Sequence, residues 1–183
     1  MTINLPLTFN CGGANLLRDN NLREFAYPFD WTIKNRGTIL NLIKNKGNGF
    51  LLDGNVVVGK ESYKHKYEND PNNWVVLKNL FDKGTGSLLV HDYPAEGIEL
   101  SKIRDKYIKR FDRLESQLNQ ANKVIIYTDT HKKIKDIPGY EGYVESLGFD
   151  FSKYLPEDES IETIRDYISS YYNIKNIEII KSI

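Results

Sequence analysis

An α/β or α+β domain is the fold class this sequence predicts, and three observations carry the prediction. A long helical pattern, with Leu100, Ile103, Tyr107, Phe111, Leu114 and Leu118 every three or four positions, runs straight into the β-branched stretch "KVIIYTD". The middle of the chain holds short apolar runs bounded by Gly, Pro, Asn and Asp, as strands are. Helical and strand-like pieces alternate, with neither linker nor internal repeat. One domain over residues 1–183 is therefore expected, a mixed sheet flanked by helices.

Each element has its own signal. "INLPLTF" predicts a first strand at about residues 3–9. "GGANLLRDNNL" follows with Leu16 and Leu17 toward a core, and Asp19-Asn20-Asn21 ends it in a turn. Pro28 holds Tyr27 extended within the aromatic "REFAYPFDW". Ile33, Ile39, Leu40 and Ile43 fall at helical spacing, which predicts a helix over about residues 36–46 ended by Gly47 and Gly49. "VVV", "WVV" and "SLLVHDY" read as strands, and the amphipathic pattern predicts a helix over about residues 99–121. A strand over 123–128, a helix over 140–147, a helix behind Ser160 as N-cap and a closing strand in "IKNIEIIKS" complete the order.

Composition narrows function. The 25 basic and 25 acidic side chains of this 183-residue chain cancel, so no cationic surplus drives binding to nucleic acid or to a membrane surface. No apolar run approaches the roughly 18 residues of a membrane span, and "MTINLPLTFN" lacks the charged start of a signal peptide. The single cysteine forms no internal disulfide, and a reducing, cytoplasmic location is expected. One cysteine and three scattered histidines show no metal-ligand spacing, so neither a metal nor another cofactor is expected.

That cysteine, Cys11, stands between a strand and the helix pattern, followed by Gly12 and Gly13. Unpaired N–H groups and the dipole at a helix start favour a thiolate, and glycines suit an oxyanion-binding turn. A buried, inert thiol packed as a small hydrophobe is the competing reading. A nucleophile needs a base. His65 lies in the polar "YKHKYEND", a solvated loop or hairpin flank, and His131 in the exposed turn "TDTHKKIK". His91 closes the apolar run of "SLLVHDYP", where a strand end delivers a side chain into a cleft; a rim histidine bonded to backbone is its plainer reading.

Taken together, "NCGGANLLRDNNLREFAYPFDW", "LLVHDYP", "RDKYIKRFDRLESQL" and "KVIIYTD" resemble the DUF1796 family, whose members are described as papain-like cysteine peptidases. The matching positions are Cys11, Ala14, Leu17, Leu22-Arg23, Pro28-Phe29-Asp30-Trp31, His91-Asp92-Tyr93 and Arg110-Phe111. Thr8-Phe9-Asn10 replaces a common Leu-Gly, and the later strand ends in Tyr-Thr-Asp instead of an Arg, which marks a divergent member. The resemblance implies a papain-like start with the cysteine on a helix. It makes Cys11 the nucleophile, His91 the base, and the N–H groups around Gly12 and Gly13 the oxyanion donors, worth about 2.7–4 kcal/mol for one donor. Asp30 is the expected third member; a carboxylate that holds the local turn or pairs with Arg23 is its plainer reading. Asp92, which points to the opposite face of an extended segment, and Asp129 are site-adjacent, as is Trp31, which packs in the core or walls the substrate.

The function so implied is a thiol-dependent hydrolase or acyl transferase acting on a peptide, isopeptide or other amide, with a protein or peptide as substrate. Two alternatives stand beside it: a binding or scaffolding domain that keeps the fold without the reactivity, and a glycan or small-molecule transferase in which Cys11 is structural.

Overall fold

The computed structural model describes residues 1–66 and 74–181. Its elements are β1 (Thr2–Pro6), α1 (Gly12–Asp19), β2 (Thr32–Ile33), α2 (Arg36–Lys44), β3 (Val56–Lys66), β4 (Trp74–Asp82), β5 (Ser87–Pro94), α3 (Leu100–Gln120), β6 (Lys123–Thr128), α4 (Tyr140–Leu147), α5 (Ile161–Tyr172) and β7 (Asn176–Lys181). The fold is α/β, but the expected mixed sheet is two sheets: a parallel one in the order β1-β6-β7 and an antiparallel one in the order β2-β5-β4-β3. The parallel strands are joined through helices, as parallel pairing requires. Antiparallel pairing of β3 with β4, β4 with β5 and β5 with β2 makes the other.

Local chemistry sets the boundaries. Asn35 caps α2 by accepting from the Thr38 N–H at 2.8 Å, and Ser160 caps α5 by accepting from the Thr163 N–H at 3.0 Å. Gly47 and Gly148, both at positive φ, follow the ends of α2 and α4. The apolar stripe of α3 (Ile103, Tyr107, Phe111, Leu114, Leu118) is buried as its periodicity required. Two expectations needed correction. Ile33 belongs to β2 rather than to a helical face, pairing with Leu88 of β5. β1 ends at Pro6, three residues before the expected end, with one further bond from the Leu7 N–H to the Tyr127 carbonyl at 2.8 Å. The segment holding His65 was expected as a solvated loop or hairpin flank; β3 runs to Lys66, and residues 67–73 lie outside the described residues.

Two apolar clusters explain why "SLLV" is a continuous apolar run. Leu89 and Leu80 face the larger cluster, shared with β1, β6, α2, α3 and α5. Leu88, Val90 and Phe81 face a second one, with Phe9, Ile33, Ile134, Ile137, Tyr140, Leu147 and Phe151. The antiparallel sheet is thus covered on both faces, and the second cluster underlies the site described next.

Candidate active site

The segment that follows β1 is fixed before the helix begins. Asp129, at the end of β6, accepts the Phe9 N–H at 2.6 Å, and Lys34 donates its backbone N–H to the Phe9 carbonyl at 3.1 Å. The Thr8 hydroxyl donates to the Asn10 carbonyl at 2.6 Å, and the Asn10 side chain accepts the Gly12 N–H at 2.8 Å. Cys11 is therefore held as the N-cap residue of α1. Gly13 lets the helix seat against β1: a Cβ there would lie 2.8 Å from Thr8 Cγ2 and 2.9 Å from Pro6 Cβ.

Cys11 opens into a cavity of about 680 Å³, within the usual size range for small-ligand sites. Its walls include Asn10, Cys11 and Gly12 after β1, Asn79 of β4, Val90 and His91 of β5, His131 after β6, and Pro138 to Tyr143 leading into α4. Cys11 and His131 follow the carboxyl ends of two adjacent parallel strands, where α/β sheets present their ligands. Residues far apart in the chain, Cys11 and His91, are thus brought to one cavity. The Trp31 ring stands edge-on to the His91 imidazole, with centroids 5.4 Å apart. Trp31 itself sits at φ +63°, a strained conformation for a bulky residue.

The expected aspartates are employed elsewhere. Asp30 is buried, ion-paired with Arg23, and accepts the Tyr27 N–H at 2.9 Å; it does not line the cavity. This is the turn-holding role, and it leaves no orientation of the imidazole to Asp30. Asp92 turns toward α3, as its neighbour relation to His91 predicted, and accepts from the Lys106 ammonium and from the Tyr107 hydroxyl at 2.6 Å. Asp129 pins the Cys11 segment through Phe9, and burial raises its carboxyl above the ordinary carboxylate value.

The oxyanion expectation needs revision as well. The Gly12 N–H is already engaged by Asn10, and Gly13 serves close packing. The thiol is not the stabilised thiolate that a helix start suggested. Burial pushes Cys11 up to about 11, against the opposing pull of the Lys34 charge and of its own backbone N–H. Desolvation outweighs the end of so short a helix.

Four cavity or near-cavity residues were not found by sequence reasoning. His131 was read as exposed and instead lines the cavity. Tyr143 lines it too. Lys34 is buried, its ammonium donating to the carbonyls of Phe29 (2.7 Å), Thr32 (3.1 Å) and Thr8 (3.3 Å), and burial lowers it to about 7. Asn79 is wholly buried on β4. A lone Asn or Lys within a strand pattern carries a weak signal: it departs from binary patterning, which marks either a surface or a site. Among the described residues, no group of three or more His, Cys, Asp or Glu is arranged to hold a metal ion, and no helix is long and apolar enough to cross a membrane.

An α/β scaffold whose single cysteine caps a helix inside a cavity shared with histidines defines a class, that of candidate thiol-dependent enzymes. The chain belongs to the family described as "Putative papain-like cysteine peptidase (DUF1796)", whose profile matches residues 5–137. It is also similar to "Uncharacterized protein R408" of Acanthamoeba polyphaga mimivirus, at 29% identity over 145 residues. That match covers 73% of this chain and 64% of the viral protein, so the chain spans less than two thirds of its relative. No solved structure matches.

Proposed function

We propose that the protein is a thiol-dependent hydrolase or acyl transferase acting on an amide, with Cys11 as nucleophile and His91 as general base and acid. One observation supports this reading above the others: Cys11 and His91 line the same cavity. With its thiol raised to about 11, Cys11 is neutral at physiological pH, so its proton leaves as attack proceeds rather than beforehand. His91 takes that proton, the Sγ–C bond forms, and the amide C–N bond breaks as His91 protonates the departing nitrogen. Water, or an acceptor amine, then cleaves the thioester. Lys34 in its protonated form favours the developing thiolate, and the Trp31 ring stands edge-on to the imidazole.

A specific observation favours a second reading, a binding domain that keeps the fold without reactivity: the thiol is desolvated and the Gly12 N–H is occupied. Turnover of a panel of fluorogenic peptide and isopeptide amides separates the two. The catalytic reading expects Cys11→Ser and His91→Ala each to lower turnover by about 10²-fold or more with the fold intact. Turnover that survives Cys11→Ser removes it.

A further inference from the structure

Asn79 stands out from every other group lining the cavity. It is wholly buried, and neither its side-chain oxygen nor its side-chain nitrogen has a hydrogen-bond partner among the described residues. The strand register explains how it comes to lie there. Between β4 and β5 the pairing passes from Lys78 opposite Tyr93 to Leu80 opposite Leu89, so Asn79 alone faces Val90, His91 and Asp92. On its other side, β3 slips between Val58, opposite Leu80, and Glu61, opposite Lys78. Irregular pairing on both flanks re-aims side chains, and such bulges recur beside active sites. Here one brings consecutive residues, Val90 and His91, to the same cavity as Asn79.

Burying a carboxamide with both ends unpaired is costly, and an apolar residue of similar size would avoid the cost. What offsets it is a ligand. A carboxamide presents an acceptor and a donor side by side in one plane. Its complement presents a donor and an acceptor on one edge. A trans peptide unit directs its N–H and C=O in opposite directions, a carboxylate offers only acceptors, and an ammonium only donors. A primary carboxamide offers both on one edge.

We propose that Asn79 is a substrate-binding residue that selects a primary carboxamide, which makes glutamine or asparagine side chains the substrate class of the Cys11 site. The inference rests on the amide-hydrolase reading for its chemistry, though not for its binding. Cys11 Sγ bonds to the carboxamide carbon, and the C–N bond breaks. The nitrogen leaves as ammonia, carrying the thiol proton passed by His91. Water then splits the thioester, leaving a carboxylate and the restored thiol. The sum is carboxamide plus water to carboxylic acid plus ammonia.

The test uses the Cys11→Ala protein, which binds without turnover, and acetyl-Gly-Gln-Gly-N-methylamide. The controls are the same peptide with glutamate, or with N-methylglutamine, in the central position. The glutamine peptide is expected to bind at least about tenfold more tightly than either control, and Asn79→Val in the same background to erase the difference. Asn79→Val is also expected to raise Tm by about 2–4 °C, since it removes buried unpaired groups, which shows that the variant folds. Equal binding of the three peptides, or a preference that survives Asn79→Val, overturns the inference; in the second case a shifted pH dependence of Cys11 alkylation, read on Asn79→Val with Cys11 present, marks a residue acting through His91. Cys11-dependent cleavage of secondary amides in those cases leaves the hydrolase reading standing. Conversely, selective binding with no ammonia release by the wild-type protein upholds the role of Asn79 and removes the hydrolase.

Discussion

Lys34 makes stability depend on pH in a direction opposite to the usual expectation for alkaline conditions. The residue is 1% exposed, its ammonium is bonded to three carbonyl oxygens, and desolvation lowers it from 10.5 to about 7. Between those values the unfolded chain holds a proton at this position that the folded chain has lost, so the folded state gains as pH rises. Below pH 7 both states are protonated and the full burial penalty applies. With these two values, linkage gives a gain of about 2 kcal/mol from pH 7 to pH 9. Cys11 works the other way. Its thiol, raised from 9.0 to about 11, binds a proton in the folded chain that the unfolded chain releases as pH rises. Its opposing contribution over the same range is small, under about 1 kcal/mol. The net gain is about 2 kcal/mol, or about 4–8 °C in Tm for a chain of this size. Urea unfolding at pH 7, 8 and 9 reads the change as a rising midpoint, and Lys34→Met, which cannot titrate, is expected to flatten it. A wild-type midpoint that falls over this range, or a Lys34→Met protein with the same slope as wild type, refutes the assignment.

Three further outcomes follow from the same geometry. Alkylation of Cys11 by iodoacetamide is expected to keep accelerating with pH toward about 11, and a half-point at or below pH 8.5 contradicts a desolvated thiol. Asp129→Ala, which removes the acceptor of the buried Phe9 N–H, is expected to cost about 1–3 kcal/mol in urea unfolding and to change the alkylation rate of Cys11; an unchanged rate shows that Asp129 does not position the segment. Gly37→Ala would bring a Cβ to 2.0 Å from the Glu157 carbonyl oxygen, so a loss of at least about 1–3 kcal/mol is expected, and an unaltered Tm would show that α2 does not pack against that segment.

The regular part of the fold was legible because burial leaves periodic traces. The strand over 123–128 and the helix over 140–147 match the sequence reading to the residue, and the α3 stripe is buried from Ile103 to Leu118, with Leu100 partly buried at its start. Division into two sheets was not legible, since pairing partners depend on distant segments and no local pattern records them. Ile33 shows the limit: its spacing to Ile39 suits a helix, yet Trp31 at positive φ and the pairing of Ile33 with Leu88 put it in a strand. In the site, Cys11 was legible from its place before a helix pattern and His91 from the close of an apolar run, although β5 continues past His91 to Pro94. For Asp30 the sequence left two roles open, and the fold shows the plainer of them, an ion pair with Arg23 seven residues earlier in the chain. Asn79 and His131 were missed because a bulge and a turn, not a motif, aim them.

The cavity wall divides along the family boundary, and that division is open to test. Cys11, Asn79, His91 and His131 fall within residues 5–137, the span that the family profile matches, whereas Pro138, Gly139, Gly142 and Tyr143 lie beyond it. The proposed chemistry therefore lies within the span that the profile matches, and the part of the wall at the start of α4 lies outside it. Gly142 is the place to probe that wall, because a Cβ there meets nothing within 4 Å and the residue lies inside a helix. Gly142→Leu is expected to stabilise α4 by up to about 1 kcal/mol through helix propensity while filling the mouth of the cavity. If substrate reaches Cys11 by that route, the variant loses Cys11-dependent turnover at undiminished Tm. Alkylation then discriminates by size, a bulky maleimide slowing relative to iodoacetamide. Equal slowing of both reagents would indicate a rearranged site rather than a narrowed entrance. Unchanged rates for both would place the approach to the thiol elsewhere and relieve the α4 wall of any part in substrate choice.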